Sequence, residues 1–226
     1  MKEILIILST FDLNHPVTRK NIEYIKKTDI SRAELFIADS GYETQERLSK
    51  RIKAYMAYAD GRPVVILKSG VIIKDYSWLD KLTNTAELSG AAIVGCVNVN
   101  EKTLKKTYGY SVTDKAAHIA LEYVNSDLPF TYVPAVLPGL IYIANPVDIE
   151  IDENFDSNLY VTDMCVNAWS NGKKVAASMS LEILDDSSFD EANPEHFRNK
   201  WCYFIKAQLF LNEDIKNLKS SVMDER

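Results

Sequence analysis

The first hundred residues alternate between short unbroken apolar runs and stretches whose apolar positions recur at helical spacing. Residues 3–9 (Glu-Ile-Leu-Ile-Ile-Leu-Ser) form a β-branched, non-alternating run, the pattern of a strand covered on both faces in a parallel sheet. Asn14 and Pro16 then predict a helix start, Asn14 as N-cap and Pro16 in the first turn, with Ile22 and Ile25 on one face. A second strand is predicted over 33–38, ended by Asp39-Ser40-Gly41. A helix follows over 43–59, with Leu48, Ile52, Tyr55, Met56 and Ala59 at core spacing. Asp60-Gly61-Arg62-Pro63 predicts a stop and turn. Val64-Val65-Ile66-Leu67 is the third buried run and leads into Lys68-Ser69-Gly70; a helix over 76–88 and a strand over 91–97 come next. This alternation predicts an α/β fold with a doubly wound parallel sheet and right-handed crossovers.

The second half has a different texture. Residues 98–127 are polar and mixed, with no clear period. Strands are predicted over 131–136, 139–144 and 173–179, and an acidic loop over 148–158. A helix over 161–171 is closed by Gly172 as its C′ glycine. A long helix starts at Pro194, where Phe197, Trp201, Phe204, Ile205 and Leu209 make an apolar stripe. That stripe reads as core or as the contact of a homodimer. A membrane-surface role fits less well, because the basic residues of the polar face are few and mixed with acidic ones. One domain over 1–226 is expected, divided into 1–97, 98–190 and a C-terminal helix over 194–218.

Composition narrows the function classes. With 226 residues the chain suits one large α/β domain. It carries 26 Lys+Arg against 32 Asp+Glu, a net charge of −6, with no basic stripe. Nucleic-acid binding is therefore not expected, since phosphate affinity comes from clustered cations releasing counterions. Cys96, Cys165 and Cys202 are an odd set without CxxC spacing, which argues against a disulfide framework or a zinc ribbon and favours a reducing compartment. The apolar run Ile4–Leu8 lacks a cleavage site and is too short to span a bilayer, so neither a transmembrane segment nor export is expected and the expected localisation is cytoplasmic.

In open α/β sheets ligands bind outside the carboxyl ends of the strands. The polar residues there are 9–12, 39–42 and 68–70. Each alone reads as loop punctuation; three polar strand ends on one rim point to a nucleotide-type site. No GxSxG, P-loop or GxGxxG occurs. His15, His118 and His196 lie far apart in sequence, with no HExxH or ligand pairing.

The order of elements resembles the family 2 glycosyltransferases of GT-A fold, nearest the streptomycin-biosynthesis glycosyltransferase-like subgroup. The likeness runs over about residues 3–203 as a series of short motifs. Leu8-Ser9-Thr10-Phe11 is similar to the family's Pro-Thr-Tyr-like turn. Ile37-Ala38-Asp39-Ser40-Gly41 is similar to Val-Asp-Asp-Gly-Ser. Where the family ends its third strand in Asp-x-Asp or His-Gln-Asp-Val, this chain has Leu67-Lys68-Ser69-Gly70-Val71, so the metal carboxylate is missing. Trp78-Leu79, Ile93-Val94-Gly95, Tyr108-Gly109, Pro138-Gly139-Leu140-Ile141-Tyr142 and Asn154-Phe155-Asp156 match later segments. Tyr160-Val161-Thr162-Asp163-Met164-Cys165-Val166-Asn167-Ala168, followed by Gly172-Lys173-Lys174-Val175, is similar to the helix that carries the acceptor base. Val161 stands in place of that helix's upstream acidic partner. Phe197-Arg198-Asn199-Lys200-Trp201 fits the closing Phe-x-x-Lys-Trp.

The resemblance implies a glycosyltransferase moving a sugar from a UDP-, GDP- or dTDP-linked donor to a hydroxyl of a glycan or small molecule. It implies a GT-A-like (Rossmann-like), doubly wound mixed but mainly parallel sheet flanked by helices, with 1–97 the nucleotide-binding half and 98–190 the acceptor half. It implies Asp163 as the general base of an inverting displacement. Asp39 would accept from the base or ribose, and Thr10 and Asp12 would shape the same pocket. The family's cofactor is Mn²⁺ or Mg²⁺ held on carboxylates beside the departing diphosphate. Here Lys68 stands at that position as a fixed cation, with the Ser69 hydroxyl and Gly70 amide beside it, and no metal-ligating residue is assigned. Asp185-Asp186 occupy the place of a late family His; they read as a metal-binding pair or as a solvated loop. The departures leave a second reading open: a non-catalytic GT-A-like module that binds a sugar nucleotide or a protein partner.

Overall fold

A computed structural model of the chain describes residues 3–10, 12–28, 30–39, 47–113, 118–123, 127–155, 159–185 and 194–207. The first half follows the expected alternation: β1 (Ile4–Thr10), α1 (Pro16–Lys27), β2 (Ala33–Asp39), α2 (Leu48–Ala57), β3 (Val64–Lys68), α3 (Trp78–Ser89) and β4 (Ala91–Val99). The second half adds β5 (Lys106–Val112), β6 (His118–Glu122), β7 (Phe130–Tyr132), β8 (Leu140–Ile143), α4 (Leu159–Ser170), β9 (Lys174–Leu184) and α5 (Pro194–Ala207). The predicted residues 43–46, Leu209 and 208–218 lie outside the described residues.

All strands join one mixed sheet in the order β2-β1-β3-β8-β4-β5-β6, with β9 paired to β4 and β7 to β9. The two longest ladders, β1–β2 and β4–β9, are parallel. β8 is inserted antiparallel between β3 and β4, so β3 and β4 run the same way. The carboxyl ends of β1, β2, β3, β4 and β9 therefore share one rim.

The unbroken apolar runs are explained by two cores. Leu5, Ile7, Val64 and Ile66 face one core with Ile52 and Met56 of α2, Val161 and Met164 of α4, and Phe197 of α5. Ile6, Leu8, Val65 and Leu67 face the other with Ile25 of α1 and Trp78, Leu82 and Ala86 of α3. Successive residues of one strand point to opposite faces, so a strand covered on both sides has no polar position to spare.

Several elements differ from expectation. Residues 98–127, which show no period, hold the hairpin β5–β6 at the sheet edge. Most of its residues are half-buried or exposed, so neither face imposes an apolar pattern. The predicted strand over 131–136 shrinks to β7, because Pro134 has no N–H to give to a ladder. Beyond it Ala135 makes one isolated bridge, to Tyr110. α1 is capped by the His15 side chain, which accepts from the Val17 amide, and not by Asn14. Gly172 closes α4 at φ +69 as expected. No helix among the described residues is long and apolar enough to cross a membrane.

α5 is tied to α4 by a polar junction set in apolar packing. Phe197 and Trp201 are buried. Trp201 Nε1 donates to Asp163 Oδ1 at 2.6 Å. Lys200 Nζ lies 3.1 Å from Asp163 Oδ2 and 3.0 Å from Asp152 Oδ2. His196 Nε2 sits 3.1 Å from the same Asp152 oxygen. Burial pushes the Asp163 carboxyl above the ordinary carboxylate range, against the opposing pull of Lys200 and Trp201. Burial also pushes on Asp152, but the Asn154 amide, Lys200 and His196 outweigh it and hold that carboxyl well below the usual range. The two signs differ on linkage. Asp152 contributes stability above its unfolded value and loses it as pH falls, whereas Asp163 costs stability as it ionises.

Two outcomes follow. Gly95 of β4 faces Val136, and a Cβ there would sit 2.6 Å from the Val136 Cβ. Gly95→Ala should lower stability by about 1–3 kcal/mol, read as a shift in denaturant midpoint. Asp152→Asn should lower the melting temperature most near pH 7, the gap to wild type closing below about pH 4. A gap constant from pH 7 to 3 would contradict the junction's electrostatics.

Candidate functional site at the strand-end rim

The rim residues of β1 and β3 are joined through α1. Thr10 Oγ1 lies 2.7 Å from Thr18 Oγ1, which lies 2.9 Å from Ser69 Oγ. The Ser69 amide donates to the Ser9 carbonyl at 2.8 Å. The Gly70 amide donates to Asn21 Oδ1 at 2.9 Å, and Asn21 Nδ2 donates to the Val71 carbonyl. Gly70 has φ +99, and a Cβ there would meet only Val17, at 3.9 Å, so its conformation and not crowding requires glycine. Thr10, Ser69 and Gly70 thus come together as expected, but Thr18 and Asn21 engage the groups expected to receive a phosphate.

Lys68 ends β3 half-buried, its amide donating to the Gly139 carbonyl at 3.0 Å. Strand alternation puts its side chain with Val64 and Ile66, on the α2 and α4 side. Its ammonium makes no ion pair among the described residues. Asp12 is turned inward on its own loop, accepting from the Asn14 amide at 2.8 Å. Asp39 is exposed at the end of β2, with Oδ2 accepting from the Leu13 amide at 3.2 Å. Ser40, Gly41 and Tyr42 lie outside the described residues.

Beneath Asp39 sits a residue that the sequence reading missed. Arg51 of α2 is only 8% exposed. Its Nη1 donates to the Asp39 carbonyl, while Nε and Nη2 are buried with no partner among the described residues. The signal was present: Arg51 falls inside the apolar spacing of Leu48, Ile52 and Tyr55, where a charge has no ordinary reason to be.

Asp185 is not simply a solvated loop residue. It follows β9 on the same rim, its amide donating to the Val99 carbonyl at 3.1 Å and its Oδ2 accepting from Asn98 Nδ2 at 3.4 Å. Asp186 lies outside the described residues. Burial, with Asp185 nearby, pushes the Cys96 thiol far up, so it is not a thiolate at neutral pH.

The donor set does not fit a divalent cation held by the protein. Lys68, Ser69 and Gly70 supply no carboxylate, and no group of three His, Cys, Asp or Glu able to hold a metal occurs among the described residues. One carboxylate, Asp185, is far from the six or more oxygens that Mg²⁺ or Ca²⁺ collects.

Asp163 lies away from the hydroxyl chain. It belongs to the face covered by α2, α4 and α5, whereas Thr10, Thr18 and Ser69 meet on the α1 face. Its side chain is 1% exposed, and both oxygens accept from α5. A separate cleft of about 770 Å³ lies at the opposite end of the sheet, lined by Met56, Asp60, Ile149, Glu150, Asn171 and Lys173 among others.

No protein-family model matches the chain, and no curated protein sequence matches it. Solved structures do. A crystal structure of GalNAc-T7 with UDP, GalNAc and Mn²⁺ superposes with a TM-score of 0.57 at 9% identity, over 84% of this chain and 44% of that one. A mannosyltransferase from Pyrobaculum calidifontis in complex with GDP-Man and Mn²⁺ gives 0.55 at 11%, over 87% and 60%. A197 from STIV gives 0.50 at 10%, over 81% and 84%. This chain therefore spans less than half of the GalNAc-T7 structure and three fifths of the mannosyltransferase. At such identities the likeness is one of fold. The chain has the α/β fold of the GT-A glycosyltransferases.

Proposed function

We propose that the chain is a small GT-A-type glycosyltransferase, binding a nucleoside-diphosphate sugar on the rim and passing the sugar to an acceptor hydroxyl. The observation that carries this reading is Arg51. Leaving a buried donor unpaired costs about 1–3 kcal/mol, and two nitrogens of Arg51 have no partner among the described residues. Arg51 fixes the main-chain carbonyl of Asp39, and the exposed Asp39 carboxylate at that strand end is an acceptor for the ring N–H on the lactam edge of a base. Uracil, thymine and guanine have that edge and adenine does not. UDP and GDP-Man in the two glycosyltransferase structures fall in the same ligand class.

Lys68 supplies the charge chemistry. As the glycosidic bond breaks, the departing diphosphate gains negative charge, and a cation fixed beside it stabilises that state most. Lys68 is available for this, while its neighbours Ser69 and Gly70 are held by α1. Asp163 is the candidate base of an inverting displacement. Burial raises its pKa towards the operating pH, which suits a base. An acceptor hydroxyl would reach it by displacing Lys200, whose side chain is 26% exposed, from Oδ2. No step is assigned to a metal ion.

A second reading, a non-catalytic sugar-nucleotide module, is favoured by one observation. Asp163 is closed off and bonded twice to α5, as a purely structural anchor would be.

Two measurements decide these points. In EDTA, UDP-, GDP- or dTDP-sugars should raise the melting temperature of the wild type. Lys68→Ala should weaken that binding on the order of tenfold to a hundredfold, the worth of a charge-assisted contact. Equal binding by both proteins would remove Lys68 from the site. Asp163→Asn should keep nucleotide binding and lose transfer by about 10²–10⁴-fold. A full transfer rate would sink the base assignment, and binding with no transfer by wild type would favour the module.

A further inference from the structure

The sheet has a second end, away from the rim. Gly61 precedes β3, Lys173 precedes β9, and Pro146 follows the antiparallel β8, so all three gather where β1, β3 and β4 begin. A cleft of about 770 Å³ opens there between the C-terminal ends of α2 and α4, a volume in the range of small-ligand sites. Met56, Ile149 and Ile151 line it and are otherwise buried, so its floor is apolar. Val147 also lines it and is 78% exposed.

The charges of the cleft do not cancel. Lys53 is paired with Glu153 at 2.9 Å, and Lys173 with Asp148 at 2.8 Å. Two further lining residues, Asp60 and Glu150, are exposed and make no ion pair or hydrogen bond among the described residues. The helix ends add to this negative excess. The carbonyl end of a helix carries a partial negative charge, which basic residues in the last turn offset. α1 has Lys26 and Lys27 there, whereas α2 and α4 have no basic residue in the last turn. Asn171 Nδ2 donates to the Asn167 carbonyl at 2.9 Å, which leaves Asn171 Oδ1 as one more acceptor.

The complement is positive charge carried on donors. A compact metal ion does not meet it, since no group of three His, Cys, Asp or Glu able to hold a metal occurs among the described residues. Charge spread along an organic chain does. Ammonium groups can reach separate carboxylates while the methylenes between them lie on Met56, Ile149 and Ile151.

We propose that this cleft is a binding site for alkylammonium groups on a flexible methylene chain, the chemistry of polyamines and of lysine side chains, with Asp60 and Glu150 receiving the charges. The site shares no residue with the rim and does not depend on the function proposed above.

The test is calorimetric titration of the whole chain with spermidine and with trilysine at constant ionic strength. The cleft variant is Asp60→Asn combined with Glu150→Gln. Asparagine tolerates the left-handed backbone that Asp60 adopts at φ +50, and both positions are exposed, so the variant should fold, as checked by circular dichroism. Glu23→Gln combined with Asp127→Asn, on α1 and before β7, removes the same charge elsewhere on the exposed surface. At least one of the two ligands should bind wild type. The cleft variant should weaken that binding about tenfold, the worth of two exposed ion pairs, and the control should stay within about twofold of wild type. Tighter binding of spermidine would identify a free polyamine as the source, and tighter binding of trilysine a basic peptide; either supports the site. A second series needs no variant: 1,8-diaminooctane should bind wild type at least about fourfold more tightly than 1,3-diaminopropane, which has equal charge, the worth of one buried methylene. It should also shift the side-chain amide resonances of Asn167 and Asn171 and leave those of Asn98 in place. Equal weakening by the two variants, no gain with chain length, or no binding of either ligand by wild type would overturn the site.

Discussion

Burial of β1 and β3 on both faces is the constraint from which the site arises. Each residue of Ile4–Leu8 and Val64–Leu67 is spent on one core or the other, so polar side chains can appear only where the strands stop. β8, antiparallel between β3 and β4, keeps these two strands pointing the same way. That brings Thr10, Asp39, Lys68, Asn98 and Asp185 to one edge of the sheet from distant parts of the chain.

The electrostatics of that edge differ from those of a metal-carboxylate site. A lysine ends β3, a buried arginine underlies the end of β2, and the carboxylates stand apart at Asp39 and Asp185. α1 takes an unusual part in the arrangement. Thr18 and Asn21 hold Ser69 and Gly70, so the turn after β3 is braced by the protein itself and Lys68 is presented from a rigid support.

The α4–α5 junction links stability to the candidate base. Asp163 accepts from Trp201 and Lys200 inside an apolar contact, and Asp152 shares Lys200 with it and also meets His196. Removing one partner of such a buried set leaves the other charge uncompensated. The Phe-x-x-Lys-Trp segment therefore has a plain physical meaning here. Phe197 packs, Lys200 bridges two carboxylates, and Trp201 bonds the buried one.

Local pattern determined much of this protein. Apolar runs and helical spacings placed β1 to β4 and their helices within a few residues, Gly172 marked the end of α4, and the rim followed from strand order. The edge hairpin β5–β6 was illegible, because half-exposed strands carry no clear alternation. The reach of the strand after Phe130 was misread because a β-rich composition outweighed Pro134. Lys68, Ser69 and Gly70 could be named as neighbours, but the engagement of Ser69 by Thr18 and of Gly70 by Asn21 depends on α1 folding back over the rim. Burial of Asp163 depends on α5 docking from 37 residues away along the chain. The buried atoms of Arg51 and Asn98 that have no partner among the described residues are decided by packing alone. A sequence lists donors and acceptors, whereas only the tertiary structure decides which of them are buried and which are left unmatched.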